Sequence, residues 1–324
     1  MIGRTFSSLY YRLIALTVNL APAPGALDRL AGFFSRLRGR FSGETANVFL
    51  GHLKRIFPDR DIEWRRKVIS EYRRVYERKL FALFYLKKKK PEHILNRVSW
   101  KGREVLDGSV NEGRGVLMLV PHYGDERSLH VILGMAGYPV HVITSRFSEL
   151  SDYSVECRLA GGRQWNTMHF PDQSPGWIFR ALDNGEIVHY GSTAYGGPSG
   201  TWIRSFGVPI LVPSTPWKLS RSSGCSVIFA SCAQTPGMGF SMVFRKLELP
   251  EDRTGFAESV GRAAEALAFS NPGQYEWKNL DIRHRETNTI ARLGRIPRDE
   301  RELEARAVPS DRDPELILEE FPLQ

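Results

Sequence analysis

The sequence predicts an α/β fold in which helices cover both faces of a mixed, largely parallel central sheet, after a helical N-terminal region. Through residues 1–98, apolar side chains recur at helical spacing. From residue 99, short apolar runs of strand length alternate with helical segments. Strands that alternate with helices along a chain favour parallel pairing with the helices packed on the sheet.

The first predicted helix lies over residues 6–22. Arg12 and Asn19 interrupt its apolar run, so no stretch approaches the 18 or so apolar residues that a transmembrane helix needs. A cleavable signal peptide is also disfavoured, because a cleavage site of small residues is missing. Two alternatives stay open for this helix: packing on the core as an ordinary amphipathic helix, or lying in a membrane interface.

Two further helices follow in the N-terminal region. NVFLGHLKRIFPD has helical spacing and ends at Pro58, and Asp61 is placed to cap the helix after it. That second helix runs into four consecutive lysines at 87–90. A lysine run at a helix end is commonly solvated and complements the helix dipole, and it could also contact lipid phosphates or an acidic partner.

After residue 99 the predicted elements alternate. Residues 116–120 and 139–144 are strands with a helix between them, and a short helix then ends at Gly185. The remaining strands are EIVHYG, VPILV, CSVIFASCA and MVFRKLEL, with helices at WKLSRSSG and over residues 254–270. We expect one domain overall, made of a helical region over 1–98, an α/β core over 99–285 and a polar tail over 286–324.

Composition narrows the class of protein. Three cysteines, an odd number without a CxxC pair, argue against a disulfide framework and a zinc site and suit a reducing compartment. The formal charge of +9 indicates an anionic partner, which could be nucleic acid, an anionic bilayer or an acidic carrier protein. Nucleic acid is disfavoured, because no nucleic-acid-binding motif is present.

The stretch VLMLVPHYGDE carries the candidate chemistry. Pro121 ends the buried strand, so His122 lies at its carboxyl end, where open α/β sheets place their active sites. Gly124 permits a tight turn, and the acids that follow it open a helix. A histidine beside a carboxylate at such a turn is a plausible general base with its orienting group, although a structural histidine is an equal alternative.

Several segments, in order, resemble the lipid A biosynthesis acyltransferase family over roughly residues 8–285. They are NVFLGHLKRIFPD, KGREVLDGSVNEGRGVLMLVPHYGDE, GYPVHVITSRFS, LDNGEIVHYG, FGVPILVPSTPWKLSRSSGCSVIFA and NPGQYEWKNLDIR. The resemblance implies acyl transfer from the thioester of an acyl carrier protein or coenzyme A to a hydroxyl or amine, with His122 as general base. The sequence shows no metal-binding pattern and neither GxGxxG nor GxxxxGK(S/T), so we expect no metal and no cofactor beyond the acyl donor. The expected location is cytoplasmic, either free or peripheral on the inner face of the cell membrane.

The implied site includes further residues. Backbone N–H groups at the Gly124 turn or an arginine could stabilise the oxyanion. Arg146 and Arg204 are candidates for contacts with substrate phosphates. Arg127 could hold a substrate carboxylate or phosphate.

The chain departs from the family pattern at two acidic positions. The family's acid lies five residues after the histidine, where this chain has Arg127, so Glu126 and then Asp125 are the candidates to orient His122. The place of the family's later Asp-Gln pair reads Gly191-Ser192-Thr193 in this chain, with no acid. Three hypotheses follow: an acyltransferase acting on lipid or glycolipid, one acting on a small soluble acceptor, and a non-catalytic relative that binds lipid or a carrier protein.

Overall fold

The α/β fold is confirmed in a computed structural model, which describes residues 2–20, 23–39, 43–143, 167–169, 175–191 and 200–277. The helices are α1 (Ile2–Leu20), α2 (Pro24–Gly39), α3 (Gly43–Ile56), α4 (Ile62–Lys88), α5 (Pro91–Leu95), α6 (Arg103–Asn111), α7 (Glu126–Met135), α8 (Gly176–Asp183), α9 (Thr215–Ser223) and α10 (Arg253–Ser270), with a 3₁₀ turn over Pro272–Gln274. The strands are β1 (Val98–Lys101), β2 (Val116–Val120), β3 (Val140–Ile143), β4 (Thr167–His169), β5 (Ile187–Gly191), β6 (Gly200–Ser205), β7 (Val208–Pro213), β8 (Ser226–Thr235) and β9 (Gly239–Lys246).

Seven strands form the central sheet, in the order β1-β9-β8-β2-β5-β3-β4. Strand β2 is in the middle and runs parallel to both neighbours, β5 and β8. Among the described strands of this sheet, only the β8–β9 pair is antiparallel, and β6 with β7 forms a separate antiparallel hairpin. The carboxyl ends of five parallel strands, β8, β2, β5, β3 and β4, therefore share one edge of the sheet.

Apolar side chains cover both faces of the sheet, as the unbroken run in β2 predicts. Val116, Met118 and Val120 pack into one cluster with α1, α2, the second half of α4 and α7. Leu117 and Leu119 pack into the other, with α8, α9, α10 and the first half of α4. Since α4 contributes to both clusters, it lies along the sheet edge that carries the candidate site.

Three consecutive charged residues on α4 join this helix to three other helices. Glu77 accepts a hydrogen bond from Tyr10 of α1, Arg78 pairs with Asp28 of α2 at 2.7 Å, and Lys79 pairs with α7. Successive helical residues point about 100° apart, so neighbours in sequence can reach three different elements. The last turn of α4 contributes too, since Lys88 donates to the carbonyl of Asn19 at the end of α1.

Most predicted elements occur where the sequence places them. Asp61 caps α4 by accepting a hydrogen bond from the amide of Trp64 at 2.7 Å, and Gly185 follows α8 with a φ of +76°. Strand β6 was not predicted. The division of the chain at residues 98 and 285 stays a prediction, and the predicted tail over 286–324 lies outside the described residues.

Candidate functional site

His122 follows β2 at the carboxyl edge of the sheet, one residue beyond Pro121. A residue distant in sequence fixes its backbone, because the His122 carbonyl accepts a hydrogen bond from the amide of Glu276 at 3.1 Å. The adjacent Tyr123 forms a bridge with Tyr275. The His122 side chain keeps 26% of its surface exposed, so a molecule from solvent can reach it.

Gly124 allows the turn because it approaches β8 more closely than any other residue type could. Its φ is +59°, and a Cβ there would lie 2.0 Å from the carbonyl oxygen of Cys232. The amide of Gly124 donates to Gln274 at 2.8 Å, and the amide of Asp125 donates to Cys232 at 2.7 Å. These two N–H groups are therefore engaged within the protein, which removes them as oxyanion donors in this conformation.

Asp125 is fully buried and caps α7. Its carboxylate accepts from the amide of Ser128 at 3.1 Å and from the side-chain amide of Gln234 at 3.3 Å. Burial raises the pKa of Asp125, and the positive charge of Lys79 offsets part of that rise. These contacts turn its carboxylate towards α7 and β8, so the structure assigns it a capping role.

Glu126 is the acid that faces the histidine. Its Oε1 lies 3.7 Å from Nδ1 of His122, and its Oε2 accepts a hydrogen bond from Nζ of Lys79 at 2.6 Å. Burial would raise the pKa of Glu126, but attraction to Lys79, His122 and Arg127 holds it well below its ordinary value. The facing carboxylates overcome the effect of burial on Lys79 and raise its pKa. Both partners are thus charged, and Glu126 is an anion beside the imidazole.

A second carboxylate, Glu276, completes the group. It is buried and accepts a hydrogen bond from the hydroxyl of Tyr72 at 3.3 Å. A ring nitrogen of His122 and one carboxylate oxygen each of Glu126 and Glu276 lie within 4.8 Å of one another. Burial and then the charge of Glu276 raise the pKa of Tyr72 well above its ordinary value, so the phenol stays protonated and able to donate.

Two neutral histidines lie behind this group. The rings of His130 and His189 are 5.5 Å apart, and burial lowers the pKa of His130 well below its ordinary value and that of His189 to about 4. Neither brings a positive charge near neutral pH. The described cations close to Glu126 are therefore Lys79 and Arg127.

The spacing of His122, Glu126 and Glu276 would also suit a metal ion. Nζ of Lys79 already donates a hydrogen bond to the Glu126 carboxylate. A metal ion bound to the same carboxylate would be repelled by the positive charge of this lysine. The set fits a charge network better than a metal centre. The expectation of no metal stays a prediction.

The remaining predicted residues are placed as follows. Arg127 lies in the first turn of α7, close enough to lower the pKa of Glu126. Arg204 lies in the β6–β7 hairpin and donates to the carbonyl of Gly207 at 3.2 Å, and no contact among the described residues joins it to His122. Arg146, Ser192 and Thr193 lie outside the described residues.

Lys79, Glu276 and Tyr72 were not among the predicted site residues. The sequence carried a signal for Lys79, because it falls on the apolar stripe of α4, seven positions after Tyr72 and one before Leu80. A lysine on the buried face of a helix indicates a buried carboxylate partner. No local signal marks Glu276, which reaches the site only because the chain returns there after α10.

The chain matches a known protein family. A model of the bacterial lipid A biosynthesis acyltransferase family aligns with residues 4–279. That range begins within the first turn of α1 and includes α2 to α10, the central sheet, and every side chain described around His122. No curated protein sequence gives a significant match.

Proposed function

The chain belongs to the bacterial lipid A biosynthesis acyltransferase family and is therefore an acyltransferase, and we propose that His122 is its general base. The donor in this proposal is the thioester of an acyl carrier protein or of coenzyme A. The acceptor is a hydroxyl or an amine. The observation that carries the proposal is the 3.7 Å approach of an ionised, largely buried Glu126 to Nδ1 of a solvent-accessible His122.

In the proposed reaction the acceptor O–H or N–H group attacks the thioester carbonyl carbon. Its proton passes to Nε2 of His122, because Nδ1 faces Glu126. The tetrahedral intermediate then breaks its C–S bond, and the proton returns from the imidazolium to the leaving thiolate. Glu126 stabilises the imidazolium that exists between these steps, and Glu276 adds a second negative charge close by.

Lys79 is a positioning residue in this proposal. The ion pair keeps Glu126 charged in a buried place where it would otherwise become protonated. Tyr72 acts in the same way on Glu276, through its hydrogen bond. The two carboxylates are thus held by α4, and His122 is held by the sheet.

Arginines are proposed for the contacts with anionic groups of the substrates. Arg127 is proposed for a substrate carboxylate or phosphate, since it opens α7 beside Glu126. Arg146 and Arg204 are proposed for donor phosphates. An arginine is also the proposed oxyanion donor, since the amides of Gly124 and Asp125 are engaged.

The charge of +9 supports an acidic donor protein or an anionic membrane surface as partner, rather than nucleic acid. We propose a cytoplasmic location, free or peripheral on the inner membrane face. None of the helices in the described part of the chain has both the length and the apolarity to cross a bilayer.

The test is a mass measurement with a matched variant. Purified protein is incubated with acylated carrier protein or acyl coenzyme A and with candidate acceptors, and loss of the donor and the mass of the product are followed. We expect transfer by the wild type, and a rate lower by about 10²–10⁴ for His122→Ala, with an unchanged melting temperature. Equal rates for the two proteins would contradict the role of His122.

One observation favours the alternative of a non-catalytic relative: an arginine, Arg127, occupies the family's acid position. Such a protein would bind the acylated carrier or lipid without turnover. The same incubations distinguish the two, because a binding protein retains donor binding but gives no acylated product with any acceptor.

A further inference from the structure

An open groove of about 720 Å³ lies between α2 and α4, and none of its lining residues belongs to the His122 site. Arg29 and Arg36 line it from α2, and Lys67 and Arg74 line it from α4. Ser35 and Ser70 add hydroxyl groups to the same walls. Because four cations line it, we call this groove the basic groove.

Positive charge in the basic groove is in excess. Its two acidic residues are Asp28 and Glu71, and Asp28 already pairs with Arg78 at 2.7 Å and accepts a hydrogen bond from the amide of Gly237. Among the residues that the structure describes, no carboxylate forms an ion pair with any of the four cations. Four cations around a concave surface with hydroxyl groups favour a phosphate-bearing ligand.

Exposed apolar side chains are concentrated on α1 and α2. Of the eight large apolar residues that are exposed in the described part of the chain, six lie on α1 and α2: Leu9, Leu13, Leu16, Leu20, Phe33 and Leu37. We call these six the apolar stripe. The four leucines of α1 follow each other at spacings of four, three and four, so they form one line along the helix.

The apolar stripe and the basic groove adjoin on α2. Phe33 lies one helical turn after Arg29, and Leu37 directly follows Arg36. The rings of Tyr10 and Phe34 are 5.8 Å apart and hold α1 against α2. On α2, exposed apolar side chains therefore lie next to unpaired cations, and the leucine line belongs to the helix packed against α2.

We propose that this surface docks on an anionic lipid bilayer, with a lipid phosphate in the basic groove and the apolar stripe among the upper acyl chains. The exposed leucines and phenylalanine lose contact with water only if an apolar phase covers them. A soluble phosphate compound would satisfy the groove but leave the apolar stripe in water. An acidic protein would match the charge without requiring a continuous apolar line. The proposal does not depend on the chemistry at His122.

The test is flotation of the full-length protein with vesicles of phosphatidylcholine alone or with phosphatidylglycerol added. We expect binding to the vesicles that contain phosphatidylglycerol. In the groove variant, Arg36→Ala with Lys67→Ala, the affinity should fall by about tenfold or more. The matched control is Lys218→Ala with Arg221→Ala on α9, which removes the same charge from another part of the surface and should change the affinity by less than about threefold.

Further variants and a soluble ligand distinguish a lipid phosphate from a soluble phosphate compound in the groove. Leu13→Gln with Leu16→Gln should also weaken vesicle binding, because two apolar contacts with the bilayer are lost. Absence of wild-type binding to either vesicle would overturn the proposal, as would equal losses in the groove variant and its α9 control. Tight, groove-dependent binding of glycerol phosphate with no effect of the leucine variant would assign the groove to a soluble phosphate compound instead.

Discussion

Glu126 and Asp125 are adjacent in sequence, but their carboxylates serve different partners. Glu126 faces His122 and Lys79, whereas Asp125 closes the first turn of α7 and accepts from Gln234. We therefore expect Glu126→Gln to lower turnover by about 10², because the variant keeps the shape and loses the charge that stabilises the imidazolium. Its melting temperature should fall as well, because the buried Lys79 loses its ion-pair partner. Asp125→Asn should keep its turnover, since asparagine caps a helix as well as aspartate does.

Turnover and melting temperature of the two variants, measured side by side, check this expectation. Glu276→Gln in the same assay tests the second carboxylate, and we expect a smaller loss than in Glu126→Gln. If Asp125→Asn lost activity with stability intact and Glu126→Gln did not, the orienting role would belong to Asp125.

The ion pair between Lys79 and Glu126 gives a prediction that separates stability from activity. Lys79→Met leaves the largely buried Glu126 without its cation, which we expect to cost about 3–5 kcal/mol of unfolding free energy and most of the turnover. Adding Glu126→Gln removes the unpaired negative charge of Glu126, so the double variant should regain much of the stability while staying inactive. Urea unfolding and turnover of the two variants check both parts. Full activity of Lys79→Met would show that Lys79 does not position Glu126.

The candidate histidine could be found from sequence because its signal is local: a buried strand, a proline, and a glycine turn that leads into a helix. The identity of the acid could be narrowed only to two neighbours, because the choice depends on how α7 begins. Lys79 and Glu276 lie 43 residues before and 154 residues after His122, so their contacts with the site exist only once the sheet and α4 are assembled.

At the scale of elements, the turn between β2 and α7 depends on the approach of Gly124 to β8. Gly124→Ala should destabilise the fold by roughly 2 kcal/mol or more, because the new Cβ meets the Cys232 carbonyl and the backbone is left-handed. Gly113→Ala is the matched control. Its φ of +70° is also left-handed, but nothing lies within 4 Å of an added Cβ, so we expect only about 1 kcal/mol.

Urea unfolding of both glycine variants measures the difference between them. Equal losses would mean that backbone conformation alone explains the need for glycine. A larger loss at Gly124, with reduced turnover, would show that the close contact with β8 also fixes the position of His122.

Elements with a strong period were predictable, and short or mixed ones were not. The sequence of helix α4 shows both its N-cap and the apolar face that becomes buried, and β2 is an unbroken apolar run. Strand β6, GTWIRS, begins with glycine and mixes polar with apolar residues. It becomes a strand through pairing with β7 and packing against α10, both of which are tertiary effects.

At the scale of the whole molecule, α4 links the two proposed sites, the basic groove and the His122 site. It lines the basic groove with Lys67 and Arg74, and it reaches the His122 site with Tyr72 and Lys79. Both surfaces thus belong to one rigid helix. A bilayer bound at the groove would hold the His122 site in a fixed orientation to the membrane, where a lipid acceptor would approach it.

The charge of the whole chain leads to the last prediction, which concerns the donor. A protein of charge +9 attracts an acidic carrier protein over distances that salt screens, so the affinity for an acylated carrier should fall by about tenfold or more between low salt and half-molar salt. Turnover at saturating donor should stay within about twofold, because the buried pair of Lys79 and Glu126 is screened much less than surface charges are. The measurement is KM for the carrier thioester across a salt series, with an uncharged acyl thioester of N-acetylcysteamine as the control donor. A KM for the carrier that is as insensitive to salt as that of the control would show that the positive surface does not recruit the donor, and would leave the membrane as the partner for that charge.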